Sequence, residues 1–343
     1  MSLAQLQYLV FIGRFQPFHQ GHRYVIERAL CHAKQVIVLI GSANAPRTPK
    51  NPFSLDERRE MILGSFDAKA RQKIHCVGIN DATYNDNKWL LGVQSAIQSI
   101  ATNTKDEQIA IIGHIKDDSS YYLSLFPQYR RFVVDSHHDL SATPIRQAYF
   151  GDDDAARRAA YEQLTDASAD FLQRFIQTPS YQYLKQQVRH IKDYQDAWQA
   201  APYTPSFITA DALIVQSGHL LLIERGGEYG QGLYALPGGF VDCGEDFFTA
   251  CIREIYEETL IKLDKQTLIN SCKFQRLFDA PDRSQRGRTV TMAYYFELPH
   301  AERLPTVQGS DDANRAFWLP LSQLDAAQMF EDHYGIICQM LGI

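Results

Sequence analysis

Two groups of residues in this 343-residue chain have the types and spacing for phosphate chemistry, and they carry opposite charge. The first is Gly13-Arg-Phe-Gln-Pro-Phe-His-Gln-Gly-His22, directly after an apolar run of strand length. His19 and His22 stand at i and i+3 where a helix opens, so both imidazoles share a face of its first turn. That turn also offers free backbone N–H groups and the positive end of the helix dipole. Gly21 lets a ligand approach the backbone closely. The combination suits a polyphosphate, with two imidazoles able to donate hydrogen bonds to charge developing on a transferred phosphoryl group. Ser141-Ala-Thr-Pro-Ile-Arg146 adds a second piece. Ser141 or Thr143 can cap a short helix, and Arg146 lies one turn in, a helix start with a guanidinium for phosphate.

The second group is acidic. In Gly239-Phe-Val-Asp-Cys-Gly-Glu245-Asp-Phe-Phe-Thr-Ala-Cys-Ile-Arg253-Glu254-Ile-Tyr-Glu257-Glu258, a helix puts Glu254, Glu257 and Glu258 at i, i+3 and i+4 on one face. Phe248, Cys251, Ile252 and Ile255 form an apolar stripe to pack on a sheet. Three clustered carboxylates repel one another unless a cation sits among them. Hard oxygen donors without cysteine or histidine favour Mg²⁺ or Mn²⁺. Arg253 and Glu245 are placed to pair and pin the preceding loop to the helix.

The elements that must position these groups fall into two grammars. Up to about residue 150, strands (Leu6–Ile12, Gln35–Gly41, Lys73–Ile79, Gln108–Gly113) alternate with helices (His19–Cys31, Ser54–Phe66, Lys88–Ile100). Ser54 and Glu57 stand at capping-box spacing. Such alternation predicts a mostly parallel sheet covered on both faces, with ligands at the carboxyl ends of its strands. Residues 152–200 read as a helical tail, with Asp152-Asp-Asp154 a solvated helix start. Ala200-Ala-Pro-Tyr-Thr-Pro205 reads as a linker, because two prolines interrupt helix. The expected domains are therefore 1–200 and 201–343. In the second, Phe207–Val215, His219–Ile223, Arg288–Phe296 and Ala316–Leu319 read as strands around one helix, Glu245–Thr259. Gly230-Gln-Gly-Leu-Tyr-Ala235 fits a loose dinucleotide fingerprint but lacks the helix that it needs, since Leu236-Pro-Gly-Gly follows.

Composition bounds the class without naming the chemistry. The net charge is −6, hydrophobic residues make up 45% and charged residues 22%, as in an ordinary soluble chain. The acidic balance argues against a nucleic-acid coat, and no apolar run approaches the ~20 residues of a membrane helix. The start shows no signal peptide. The six scattered cysteines, with no Cys-x-x-Cys pair, fit a reduced, cytoplasmic protein without a structural zinc. A homo-oligomer stays an open expectation.

The motifs of the first domain resemble the nucleotidylyltransferase superfamily. Gly13–His22, Gly41-Ser-Ala43, Asn51-Pro-Phe53 and Asn87-Lys-Trp89 are similar to nicotinamide mononucleotide (NMN) adenylyltransferases of the archaeal type. The resemblance implies a Rossmann-like doubly wound domain in which the 5′-phosphate of NMN attacks the α-phosphate of ATP, giving NAD and pyrophosphate. It implies His19, His22 and Arg146 as catalytic residues on the ATP phosphates. Gly13, Arg14, Phe15, Gly21, Gly41, Ser42, Lys50, Ser141 and Thr143 would line the nucleotide, and Trp89, with Asn85 or Asn87, the nicotinamide. Ala142 departs from the glycine usual there.

The acidic helix and its loop resemble the Nudix box, with one departure, Leu260 for the glycine that ends the helix. A glycine there usually takes a left-handed conformation that costs another residue about 1 kcal/mol, so a helix end of different shape is expected. The resemblance implies an α/β/α sandwich that hydrolyses a nucleoside diphosphate linked to another group. Gly239, Glu254, Glu257 and Glu258 would hold the metal. Glu258 is the first choice to organise or deprotonate water, and Asp311 and Asp312 are alternative acidic partners. The Asp279–Arg288 segment looks like the substrate loop of ADP-ribose enzymes, implying Arg283, Arg286 and Arg288 on the pyrophosphate or ribose phosphate. Over the whole length the chain resembles bifunctional bacterial enzymes that join the two domains. Two alternatives stay open: a regulatory second domain that binds ADP-ribose or NAD without hydrolysis, and a different phosphate acceptor in the first.

Overall fold

The computed structural model describes residues 6–113, 124–135 and 140–343. It divides into two compact units, Met1–Val188 and Arg189–Ile343. In the first, the chain runs β1 (Leu6–Gly13), α1 (Gln20–His32), β2 (Ala33–Ile40), α2 (Leu55–Gly64), α3 (Ala68–Arg71), β3 (Ile74–Gly78), α4 (Asp86–Ile100), β4 (Ile109–Gly113), β5 (Arg130–Val133), α5 (Ala142–Phe150), α6 (Asp154–Tyr161), α7 (Asp166–Phe175) and the long α8 (Pro179–Ala197). The five strands are parallel in the order β3-β2-β1-β4-β5.

Period-two alternation explains why this sheet is covered on both faces. Leu9 and Phe11 of β1, Val36, Val38 and Ile40 of β2, and Ala110 and Ile112 of β4 enter one core with α1, α2 and the helices after β5. Their neighbours Val10, Ile12, Ile37, Leu39, Ile109 and Ile111 enter the other, against Val93 and Ile97 of α4. Strands buried on both faces read as continuous apolar runs. The strand order reverses direction at β1, between β2 and β4, so a crevice opens at the carboxyl end of β1. Ser54 and Glu57 make the expected reciprocal capping box on α2. Asp153, in the Asp152–Asp154 run, caps α6 by accepting from the Ala155 and Ala156 N–H groups.

The units divide within α8, ahead of the boundary expected at 200/201. Tyr194 and Trp198 place their rings 5.3 and 5.2 Å from Phe207, so the last turns of the helical tail pack with the second unit. That unit continues with β6 (Ser206–Gln216), β7 (His219–Arg225), β8 (Tyr234–Ala235), β9 (Gly238–Phe240), α9 (Phe247–Thr259), α10 (Lys265–Asn270), β10 (Cys272–Phe278), β11 (Arg288–Glu297), β12 (Ala313–Pro320) and α11 (His333–Leu341). Its sheet runs β10-β11-β6-β7-β12, with β8 on β7 and β9 on β6. β6 and β11 are parallel; their other neighbours are antiparallel. Ala250, Cys251, Ile252 and Ile255 of α9 are buried against it, whereas Phe248 is only partly buried. Residues 230–235 lead into strand and not helix, which removes the dinucleotide fingerprint. Among the described residues, no helix is long and apolar enough to cross a membrane, and all six cysteines are free thiols.

Candidate active sites

In the first unit the expected residues follow the carboxyl ends of parallel strands. β1 ends at Gly13, and α1 opens with His19 as its extended N-cap. The His19 backbone N–H donates to His22 Nδ1 at 3.3 Å, which leaves the neutral imidazole's proton on Nε2 as a donor. The two rings stack at 3.6 Å, and Phe15 and Phe18 hold the His22 ring at 4.9 and 5.6 Å. Phe15 itself is buried, with its backbone in the left-handed region (φ 53°) and its ring 2.8 Å from where a Cβ on Gly13 would stand. Its side chain therefore shapes the turn from within the core. A Cβ on Gly21 would stand 3.1 Å from the His19 ring, so this glycine makes room for the imidazole.

Cations gather around this turn. Arg146 Nη1 donates to the Gln16 carbonyl at 2.7 Å and Nη2 to Thr143 Oγ1 at 3.2 Å, which draws the start of α5 onto the turn after β1. Burial, and then the charge of Arg14, hold the Arg146 pKa down to about 10. Two guanidiniums in mutual repulsion make a place for an anion. Ser141 is the N-cap of α5, but its hydroxyl makes no capping hydrogen bond. Gly41 N donates to Gly13 O at 2.9 Å, so the turns after β1 and β2 lie side by side, with Ser42 in the left-handed region (φ 51°). Lys50 lies in the loop after β2. Asn85 caps α4, its side-chain oxygen accepting from Lys88 N; Asn87 is exposed, and Trp89 is half-buried against Phe126. Lys50 thus follows β2, and Asn85, Asn87 and Trp89 share the start of α4, which follows β3.

Two residues that the sequence reading missed hold this edge together. Arg58 is 1% exposed and donates to the backbone carbonyls of Arg14, Gly41, Ser42 and Ser54. Burial, opposed by Asp81 and Glu57, lowers its pKa to about 10. Each such charged hydrogen bond contributes roughly 1.5–3 kcal/mol, and together they tie the turns after β1 and β2 to the start of α2. Gln16 exchanges two hydrogen bonds with the Phe53 backbone, at 2.9 and 3.0 Å. In sequence Arg58 is one more helix arginine; only its burial identifies it.

The second unit sets carboxylates around one arginine. Arg253 donates to Glu245 at 2.6 Å and to both Glu254 and Glu257 at 2.8 Å, and its Nη2 reaches the Phe240 carbonyl at 3.0 Å. Glu258 turns elsewhere, its Oε2 accepting from Gly238 N at 2.8 Å. Burial, with the charges of Glu254 and Asp211 adding to it, pushes the Glu258 pKa up to about 8, and burial also raises that of Glu254. Among the described residues no three carboxylates converge as a ready metal cluster. The helix spacing is as expected, but Arg253 supplies the balancing charge that separates Glu254 and Glu257 from Glu258. The donors nonetheless fit a hard divalent cation: all are oxygens, and they crowd a backbone stripped of side chains. A Cβ on Gly239 would stand 2.3 Å from Glu254 Oε1, and one on Gly238 2.4 Å from both Ala210 O and Asp211 Oδ1. Asp311 and Asp312 are exposed in the loop before β12, where Ser310 N donates to the Glu258 carbonyl.

The helix end departs from expectation. Leu260 keeps the left-handed conformation (φ 41°, ψ 35°) and its N–H bonds Tyr256 O, so the turn of a terminal glycine is built with a leucine. Ser310 and Gln308 bond the carbonyls of Glu258 and Thr259 and hold the strained turn.

The three substrate-loop arginines have three different surroundings. Arg283 is buried in a two-pronged ion pair with Asp332, at 2.9 and 3.0 Å, which takes the Nε edge of its fork away from any phosphate. Arg286 lies over the rings of Tyr229 (5.3 Å), Tyr194 (5.7 Å), Phe240 and Phe330 (both 6.0 Å). Arg225, also missed in the sequence, stacks 4.1 Å from Phe330, its pKa lowered by burial and then by Arg286. Arg288 pairs with the Asp279 backbone and carboxylate.

Known proteins resemble both halves. The Cytidylyltransferase-like family matches residues 10–147, and the NUDIX domain family residues 205–340. The chain is 39% identical over 188 residues to the nicotinamide/nicotinic acid mononucleotide adenylyltransferase of Acinetobacter baylyi, covering 54% of this chain and 96% of that protein. It is 31% identical to the ADP-ribose pyrophosphatase of Methanocaldococcus jannaschii over 39% of this chain and 73% of that one. The crystal structure of a bifunctional NMN adenylyltransferase/ADP ribose pyrophosphatase from Francisella tularensis, complexed with AMP and Mn ion, matches at a TM-score of 0.90 and 34% identity, covering 98% of this chain and 99% of that chain.

Proposed function

The chain belongs to the family of bifunctional NMN adenylyltransferases joined to a Nudix ADP-ribose pyrophosphatase, and from that premise we propose which residues carry each reaction. The first unit transfers adenylate from ATP to NMN. An oxygen of the NMN 5′-phosphate bonds to the α-phosphorus of ATP, and pyrophosphate leaves. No protein nucleophile is needed, so the work is positioning and charge stabilisation. His19 and His22 donate to the ATP phosphates, and Arg14 and Arg146 flank the triphosphate as its bound countercharge. Gly13, Gly21, Gly41 and Ser42 offer backbone to the nucleotide, with Lys50, Ser141 and Thr143 at its margins. Trp89 stacks on the nicotinamide, helped by Asn85 or Asn87.

The second unit splits ADP-ribose into AMP and ribose 5-phosphate, and its activity depends on a divalent metal. Mg²⁺ is the ion we propose, with Mn²⁺ able to replace it, because every donor is a hard oxygen. Glu254, Glu257, Glu258 and the Gly239 backbone would hold it. When bound, such a cation polarises the pyrophosphate and acidifies water. Glu258, buried and fixed by the Gly238 N–H, is our choice to hold the proton taken from water. Arg286, over its aromatic rings, faces the substrate, whereas Arg283 does not.

The observation that carries both readings is the sign of the charge gathered at each site: Arg14 with Arg146 beside stacked histidines, and glutamates around Arg253. The test is one assay with ATP, Mg²⁺ and NMN, and a second with ADP-ribose and Mg²⁺. NAD with pyrophosphate, and AMP with ribose 5-phosphate, are the expected products. Adenylylation of another acceptor such as phosphopantetheine, without NAD, overturns the first. Tight binding of ADP-ribose without turnover overturns the second.

A further inference from the structure

The loop Leu236-Pro-Gly-Gly239 lies at the centre of the second site. Pro237 O accepts from Ala212 N at 2.8 Å, Gly238 N donates to Glu258, and Gly239 lies beneath the Glu254 carboxylate. The N–H of Leu236, which is itself 1% exposed, goes to a side chain 97 residues away: it donates to Nδ1 of His333 at 3.0 Å. His333 is the first residue of α11 and is buried. The residue before it, Asp332, stands at the N-cap position of that helix but does not cap it with its side chain. Its carboxylate instead receives the Nε and Nη2 of Arg283, with the two side chains only 3% and 5% exposed.

A buried ion pair costs much desolvation and is a poor device for stability alone. A buried guanidinium on a buried carboxylate does fix position, because two parallel hydrogen bonds set both distance and plane. Arg283 belongs to the segment 279–288, and Asp332 and His333 to the start of α11. The contacts therefore run from the substrate-side segment, through the helix start, to the backbone of the metal-side loop.

We propose that Arg283, Asp332 and His333 form a positioning device for the Leu236–Gly239 loop, and that Arg283 acts through this loop and not on the phosphates of the substrate. The inference rests on the reading of this unit as a divalent-metal-dependent pyrophosphatase. His333 supplies an acceptor that holds Leu236 in place, so Gly238 N meets Glu258 and the Gly239 backbone faces Glu254. Asp332, held by Arg283, sets where that acceptor stands.

The test uses the full chain with H333L, H333N and R283K. The Asn amide oxygen can stand where Nδ1 stands; the Leu side chain has no acceptor. Mn²⁺ affinity is measured by electron paramagnetic resonance without substrate, amide exchange at Leu236 and Gly238 by mass spectrometry, and kcat and KM with ADP-ribose. H333L and R283K are expected to weaken Mn²⁺ binding and lower kcat by roughly tenfold to a hundredfold, the usual cost of losing support behind a metal site. KM stays within about twofold, amide exchange of the loop accelerates, and H333N restores most of each loss. R283K that raises KM while leaving Mn²⁺ affinity and exchange unchanged overturns the proposal and makes Arg283 a substrate ligand. H333L with wild-type Mn²⁺ affinity and exchange overturns it as well, and if H333L does not fold, the R283K result decides. A wild-type chain that leaves ADP-ribose intact overturns the functional reading alone, since Mn²⁺ affinity and exchange still test the device.

Discussion

The two sites mirror each other in sign. Around β1 and α5, Arg14 and Arg146 stand close enough for one to depress the other's pKa, next to two stacked imidazoles. On α9, Glu254 and Glu258 crowd the Gly238–Gly239 backbone, and Arg253 takes up the charge of Glu254 and of Glu257. Each site concentrates one sign of charge where burial makes the repulsion costly, and each is relieved by a ligand of the other sign. The difference lies in what brings the relief. A polyphosphate substrate brings its own negative charge to the first site. The pyrophosphate of ADP-ribose would add negative charge to the second, so a cation must come as well. The first site is assembled from fixed donors, whereas the second is held by an arginine that occupies two of the expected metal ligands.

The largest expected effect breaks the second site while sparing the first. Glu258→Gln lowers ADP-ribose hydrolysis by about three orders of magnitude and leaves NAD formation from ATP and NMN at the wild-type rate; parallel assays on one preparation check both. Retained hydrolysis would remove Glu258 from the chemistry. The converse change, His19→Ala, lowers kcat for NAD formation roughly a hundredfold with ADP-ribose hydrolysis intact. An unchanged rate there would show that the stacked imidazoles are structural.

A smaller effect sharpens the comparison through pH. Burial holds the His333 pKa below its ordinary value of 6.5, with Nδ1 accepting from Leu236. The unfolded chain therefore takes up this proton first as pH falls. The stability contributed by the neutral ring is present above about 6.5 and is lost as pH drops toward the folded pKa. The stability of wild type minus that of H333N, from thermal melts, should shrink between pH 7.5 and pH 5; a constant difference counts against this linkage. The smallest effect concerns the end of α9. Leu260 is 38% exposed and holds a left-handed backbone. Leu260→Gly should raise stability by up to about 1 kcal/mol, and a lower melting temperature would mean that leucine packing outweighs the strain.

Much of the fold was legible because its elements repeat locally. The short, mostly exposed β5 (Arg130–Val133) was missed, whereas β1 to β4 were read to within a few residues, since burial on both faces makes them nearly unbroken apolar runs. β10 was not: Lys273 through Leu277 are all exposed on an outer strand, so no alternation marks it. β8 and β9 are two and three residues long, too short for any period to show. The Leu260 turn was expected to change shape with the loss of glycine, yet hydrogen bonds from Gln308 and Ser310 keep it.

By itself the sequence determined the two functional cores, the i,i+3 histidines and the i,i+3,i+4 glutamates, because helix geometry places such residues together without reference to the rest of the chain. Only the tertiary structure decided what each charge meets. It paired Arg146 with a carbonyl 130 residues away, buried Arg58 under four carbonyls, and set Arg283 on a carboxylate 49 residues distant. An arginine's type says that it will seek an acceptor; which one it finds depends on the packing of elements far apart in the chain, and short-range spacing carries no record of that.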